Sequence, residues 1–282
     1  MNIETISSQT IGIVTDSTAY LPESFVKQFG IEVVPVQVVV DGKSLSEITE
    51  ISIADLVKDL RANKSVTTSR PTVQNFVQVY EKLRASGVSE ILSIHLSSEL
   101  SGTYESAMLA AQRVDFPVKV IDSKGVAGFL ELAVQHAVEL RANGKNLEEI
   151  STALITYCAE TKIYFYVDTL EFLQRGGRIS MIRSKLGQLM TFKPLLTMRE
   201  GRVELLELVR SEAKALNRLL ELACNEGPNH EFRINHVAAP ERAINLAEAI
   251  ENQLKISTVA IRETGAVVGA HVGPGAVAVT IH

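Results

Sequence analysis

"SEILSIHLSSELSGTYESA", residues 89–107, passes from an apolar run through a cluster of hydroxyls into a helical pattern. Ile91 to Leu96 form a short, mostly apolar run of the length of a buried strand. Directly after it, Ser97, Ser98, Ser101, Thr103, Tyr104 and Ser106 bring six hydroxyls within ten positions, with no lysine or arginine among them. A helical pattern then begins. A strand that passes through a polar turn into a helix is the repeating unit of an α/β protein, and ligands of such sheets bind beyond the strands' C-terminal ends.

Outward from this point the same alternation fills the first 165 residues. Strand-like runs fall at 11–16, 31–40, 118–123 and 162–167, and segments with a 3.6-residue period lie between them. One of these, "LPESFVKQFG", has Pro22 near its first turn and Gly30 at its end, where helices start and stop. The pattern predicts an α/β protein whose N-terminal domain, 1–165, is a mostly parallel α/β/α sandwich. After Val167 the pattern changes. "TLEFLQRGGRIS" and "MIRSKLGQLM" read as short helical pieces. "KPLLTMREGRVELLELV" reads as a hairpin turning at Glu200-Gly201. A second α/β domain, 166–282, with a mixed and largely antiparallel sheet is expected.

Composition excludes several classes. Twenty-eight Lys+Arg against 33 Asp+Glu give a net charge of −5, without the basic footprint of a nucleic-acid binder. Cys158 and Cys224 sit far apart in apolar helical patterns and read as buried thiols, not a disulfide framework or a metal site. No apolar run approaches the roughly 18 residues of a membrane span, and the N-terminus lacks the parts of a signal peptide, so a cytoplasmic protein without stable membrane insertion is expected.

Three strand ends carry small polar groups: Asp16-Ser17-Thr18, the opening stretch, and Asp122-Ser123. A fourth cluster, "TTSRPT" (67–72), precedes a helix near Val73. Helix capping explains any one of them, whereas convergence on one sheet edge points to a site. Gly102 permits close backbone approach, and the helix starting around Ser101–Tyr104 offers free N–H groups. Neutral donors suit one small anion such as a carboxylate. No phosphate-binding lysine loop, dinucleotide glycine motif or G-x-S-x-G elbow is present. His95 and His136 read as structural. His271, in "GAHVGPGAVAV", stands beside three glycines and Pro274, a backbone suited to a tight loop. It could donate to a carboxylate or hold that loop. In "QRGGRIS" the glycine pair implies a turn with positive φ, after which Arg178 could pair with an anion or an acidic partner.

Taken in order, "VTDSTAYLP", "TSRPT", "LSSELSGTYESA", "IDS", "RGGRIS" and "HVGPGA" resemble the motif series of the DegV family, over nearly the whole chain. Members of that family include the fatty-acid-binding (FakB-type) subunits of bacterial fatty acid kinase. The resemblance implies a two-domain fold holding a long-chain fatty acid between and within its domains. It implies a carboxylate fixed by Thr68, by Ser98 or Ser101, and by His271, with Ser69 and Gly102 in the same motifs. Arg178 corresponds to the arginine near the face where the catalytic kinase subunit docks. No cofactor or metal is implied. The sequence departs from the family at Arg70, often glutamine, and at Tyr20, often aspartate.

The chemistry is coherent with such a ligand. Roughly 14 buried methylenes at about 0.8 kcal/mol each supply on the order of 10 kcal/mol before ordering costs. The head group then needs orientation, and hydroxyls with a histidine leave a carboxyl oxygen open to a kinase where an arginine fork would cover it. Rival readings are a serine-dependent esterase or acyl transferase using Ser98 or Ser101 with His271, and a carrier of another small apolar anion.

Overall fold

The structure, a computed structural model, describes residues 10–179 and 192–282. The expected helical piece at 181–190 lies outside them.

A four-stranded parallel sheet is built from β1 (Ile11–Asp16), β2 (Glu32–Val34), β6 (Glu90–His95) and β7 (Val118–Asp122), in the order β2-β1-β6-β7. Alternation along β1 sends Ile11 and Ile13 to one face and Val14 to the other. The first face is covered by α5 (Gly128–Ala142) and α6 (Leu147–Glu160), the second by α3 (Val73–Ala85) and α4 (Thr103–Ala111). The short helix α1 (Glu23–Phe29) follows β1 and ends, as its sequence predicts, on Gly30 at φ +63°. The α/β/α sandwich is present, and its strand order reverses between β1 and β6. The hydroxyl-rich stretch leaves the sheet at that switch point.

The apolar run 31–40 is not one strand. Pro35, which has no N–H to donate, interrupts it after β2. The chain then enters a separate antiparallel sheet, β4-β3-β5, made of β3 (Gln37–Val40), β4 (Lys43–Ser46) and β5 (Val66–Ser69). Helices α2 (Ile53–Arg61) and α10 (Ala266–Val272) pack on it, so the last helix of the chain closes onto an N-terminal sheet.

The third sheet has six strands, β10-β9-β8-β13-β11-β12. These are β8 (Lys162–Tyr166), β9 (Lys193–Arg199), β10 (Arg202–Val209), β11 (Phe232–His236), β12 (Ala260–Glu263) and β13 (Val277–Ile281). Every pairing is antiparallel except β11 with β12. The hairpin turns at Glu200-Gly201, both with positive φ, as a two-residue loop requires. The run 162–167 belongs to this sheet and not to the parallel one. Its period cannot reveal this, because a buried strand looks alike in either sheet. One face is packed by α8 (Glu212–Cys224) and α9 (Pro240–Leu254). The other faces the parallel domain, with α7 (Glu171–Arg175) at its edge, and between the two lies the site.

Candidate functional site

A narrow internal cavity opens between the two larger sheets, with about 100 Å³ of space that the centre of a water-sized sphere can reach. Its walls are apolar: Leu96, Leu100 and Val126 from the parallel-sheet side, Ile163, Phe165 and Met198 from the six-stranded sheet. Thr68, Ser101, Arg178 and His271 also line it. Of the six binding residues expected from the sequence, Thr68, Ser69, Ser98, Ser101, Gly102 and His271, three meet there: Thr68, Ser101 and His271, joined by Arg178.

His271 is in the last turn of α10, and not in the glycine loop its neighbours suggest; Gly273 and Gly275, both at positive φ, form the loop that follows. Its Nε2 lies 2.8 Å from Thr68 Oγ1, across 203 positions of sequence. Its Nδ1 is buried and has no hydrogen-bond partner among the described residues. A proton on Nδ1 would be an unpaired donor, so the favoured tautomer carries it on Nε2 and donates to Thr68. The threonine hydroxyl hydrogen is then free to point at an anion. Burial, with the nearby Arg178 charge adding to it, pushes the His271 pKa down to about 4.

This depression has a consequence for stability. Unfolded chain takes up a proton near the ordinary value of 6.5, while the native ring refuses it until about pH 4. Stability is therefore full above about pH 6.5 and falls by up to about 3 kcal/mol as pH drops to 4. Urea unfolding at pH 7 and 4.5 should show that His271→Gln loses correspondingly less between the two pH values than the parent. Equal losses would mean that the ring titrates freely.

Two unforeseen features position that histidine. A Cβ on Gly176 would come 2.1 Å from His271 Nδ1, so this glycine makes room for the ring. Its φ is an ordinary −72°, and only Gly177 of the pair is left-handed, at φ +70°. The other feature is at the start of α10. Glu47 Oε1 accepts from the Val267 N–H (2.7 Å) and the Tyr20 hydroxyl (2.8 Å), while the Tyr20 oxygen accepts from the Val268 N–H (3.2 Å). Tyr20, a departure from the family pattern, thus ties the first strand's exit to the helix that carries His271. Burial raises the Glu47 pKa.

The remaining predicted residues stand elsewhere. Ser69 is exposed and, by strand alternation, points away from Thr68's side of β5. Ser98 donates to Asp122 Oδ2 at 2.6 Å and holds the turn after β6 to the end of β7. Gly102 caps α4, but Arg70 covers it: the Arg70 guanidinium donates to the Gly102 carbonyl at 3.2 Å, and a Cβ there would lie 2.2 Å from it. Arg178 is half-buried, with Nε donating to the Leu100 carbonyl at 3.0 Å and Nη1 to the Gly176 carbonyl, and burial lowers its pKa.

Among the described residues, Ser101 Oγ is 2.9 Å from Thr103 Oγ1, and no carboxylate bonds the second nitrogen of His271. The chain does hold a Ser93–His95–Asp16 relay, with distances of 2.7 and 3.1 Å. It is completely buried, Tyr80 donates to Ser93 at 2.8 Å, and none of the three residues lines the cavity. It satisfies buried polar groups at the switch point. Among the described residues no three of His, Cys, Asp or Glu gather as a metal site, and no helix is long and apolar enough to cross a membrane.

Comparison with known proteins agrees with this architecture. A family model described as "Uncharacterised protein, DegV family" matches residues 10–282. A DegV domain-containing protein of Streptomyces coelicolor is 41% identical over 277 residues, covering 97% of this chain and 99% of that one. Among solved structures, a fatty-acid-binding DegV family protein from Thermus thermophilus is similar with a TM-score of 0.90 and 32% identity, covering 97% and 99% of the two chains. DegV of Bacillus subtilis, described as a fatty acid binding protein, gives 0.88 and 32% with the same coverage. Since the match spans both large sheets and the residues between them, the chain belongs to the DegV family.

Proposed function

We propose that this protein binds a long-chain fatty acid with its tail in the apolar cavity and its carboxylate at Thr68, Ser101 and His271, and presents it to a separate kinase that phosphorylates it to an acyl phosphate. One observation carries the reading. Thr68, Arg178 and His271 line the apolar cavity and also an outer depression that includes Lys64, Phe172 and Arg175. A head group held at Thr68 and His271, beside Arg178, is buried on its tail side and approachable from the other. A carrier that surrenders its ligand's carboxylate to a second protein needs that two-sided wall.

The donors fit a reacting carboxylate. A buried charge must be paired, and a neutral hydroxyl–imidazole pair does so without a cation clamped over both oxygens. The His271 ring, neutral at pH 7 with its pKa held down to about 4, acts as a fixed dipole. Arg178 stands where it supplies positive potential to the head group from the outer side, and this is also where a docking kinase would approach. Fatty-acid binding by similar DegV proteins supports the ligand class.

Mass spectrometry of lipid extracted from purified protein, followed by delipidation and titration with palmitate or oleate, tests the binding. Saturable one-to-one binding is expected. Its absence would sink the proposal. Adding a fatty acid kinase subunit and ATP to the loaded protein tests presentation, and should yield acyl phosphate retained on the carrier.

A further inference from the structure

Helix α10 has seven residues, too few to hold its shape alone. Yet Val267, Val268, His271 and Val272 all line the cavity, and His271 meets Thr68. Helix side chains lean toward the N-terminus, so the His271 ring is seated over the turn that begins at Val267. That turn is held from outside the helix. The Glu47 carboxylate gathers three neutral donors: the Ser17 hydroxyl at 2.5 Å, the Tyr20 hydroxyl at 2.8 Å and the Val267 N–H at 2.7 Å. The Tyr20 oxygen accepts in turn from the Val268 N–H at 3.2 Å. Two of the helix's unpaired N–H groups are thereby satisfied, with a negative charge at its positive end.

Two further observations show that this clamp is built into the backbone. Tyr20 adopts φ +47°, a left-handed conformation that costs a bulky residue free energy and here aims the phenol at α10. Gly265 lets both partners approach, since a Cβ there would lie 2.6 Å from the Tyr20 ring and 2.7 Å from Glu47 Oε1. Neither Glu47 nor Tyr20 lines the cavity.

We infer that Glu47 and Tyr20 are positioning residues for the head group: they clamp the first turn of α10 and so fix His271 Nε2 against Thr68 Oγ1 in the arrangement that receives a carboxylate. The inference rests on the fatty-acid reading above and extends the site to residues that do not touch the ligand. Losing the clamp should degrade selection for the charged head more than burial of the tail. The tail also meets walls from both larger sheets, whereas the histidine comes from α10 alone.

The test titrates delipidated protein with palmitic acid and with hexadecanol, and reads the ratio of the two affinities. Tyr20→Phe keeps the ring and removes the acceptor for Val268 and the donor to Glu47. Glu47→Gln keeps the shape and removes the charge. Each should lower palmitate affinity about three- to tenfold and leave hexadecanol within about twofold of the parent. Asn146→Ala, which strips the capping box from the distant helix α6, supplies a destabilised control whose ratio should stay at the parent's, with thermal melts gauging the stability lost. An unchanged ratio in both clamp variants, an equal loss for acid and alcohol, or a ratio that falls as far in Asn146→Ala would each overturn the inference. Failure of the parent protein to bind palmitate would instead overturn the fatty-acid reading, and this inference with it.

Discussion

Ala278→Phe should abolish binding of long-chain fatty acids while sparing short ones. Ala278 lies in the cavity floor between Phe165 and Asn235, and its small side chain leaves the channel open beside the ring of Phe165. A second ring at this position fills the space a tail would occupy. If it displaces roughly five methylenes at about 0.8 kcal/mol each, the loss is about 4 kcal/mol, or on the order of a thousandfold in affinity. A chain-length series reads the effect: octanoate and shorter acids should bind the variant and the parent alike, and palmitate should bind only the parent. Melting temperature checks that the ring enters empty space and does not distort the sheet. Unchanged palmitate affinity would place the tail elsewhere.

Thr68→Val is expected to weaken fatty-acid binding by about 10- to 100-fold with the tail site intact. Valine preserves the β-branched shape that suits β5, so only the hydroxyl is lost. A hydrogen bond to a charged group is worth about 1.5–3 kcal/mol. The substitution also strips His271 Nε2 of its partner at 2.8 Å, leaving both ring nitrogens unpaired. The control is the fatty alcohol of the same chain length, which has no charge to orient and should bind both proteins within a few-fold. Phosphorylation of the bound acid by a kinase should fall more than affinity does, since a misplaced head group is held at the wrong distance from the phosphoryl donor. Equal loss for acid and alcohol would mean that Thr68 shapes the channel and does not hold the head.

Several of these residues were legible before any coordinates, and the reason differs from case to case. Thr68, Ser101 and His271 sit in motifs whose order along the chain resembles the family series, so a sequence reader meets them all. Their partition did not follow. Ser98 and Ser101 look equivalent in "LSSELSGT", and only the fold shows that Ser98 turns back onto Asp122 while Ser101 lines the cavity. Gly176 reads as a turn glycine, yet what it supplies is room for a ring contributed from a helix almost a hundred positions later. Arg70, a conspicuous cation among hydroxyls, turns onto the Gly102 carbonyl and is not among the residues that line the cavity.

Periodicity alone determined that this chain builds a parallel, helix-covered sheet followed by a more antiparallel one, because burial on one or two faces imprints a local pattern on each element. It also determined that hydroxyls gather where β6 ends. Which sheet owns 162–167, that Pro35 splits one apolar run between two sheets, and that α10 brings His271 onto β5 were decided by the tertiary structure. Strand pairing and ring-to-hydroxyl contact are long-range events. A residue's neighbours in sequence record how its backbone bends, and carry almost no trace of which distant surface its side chain will meet.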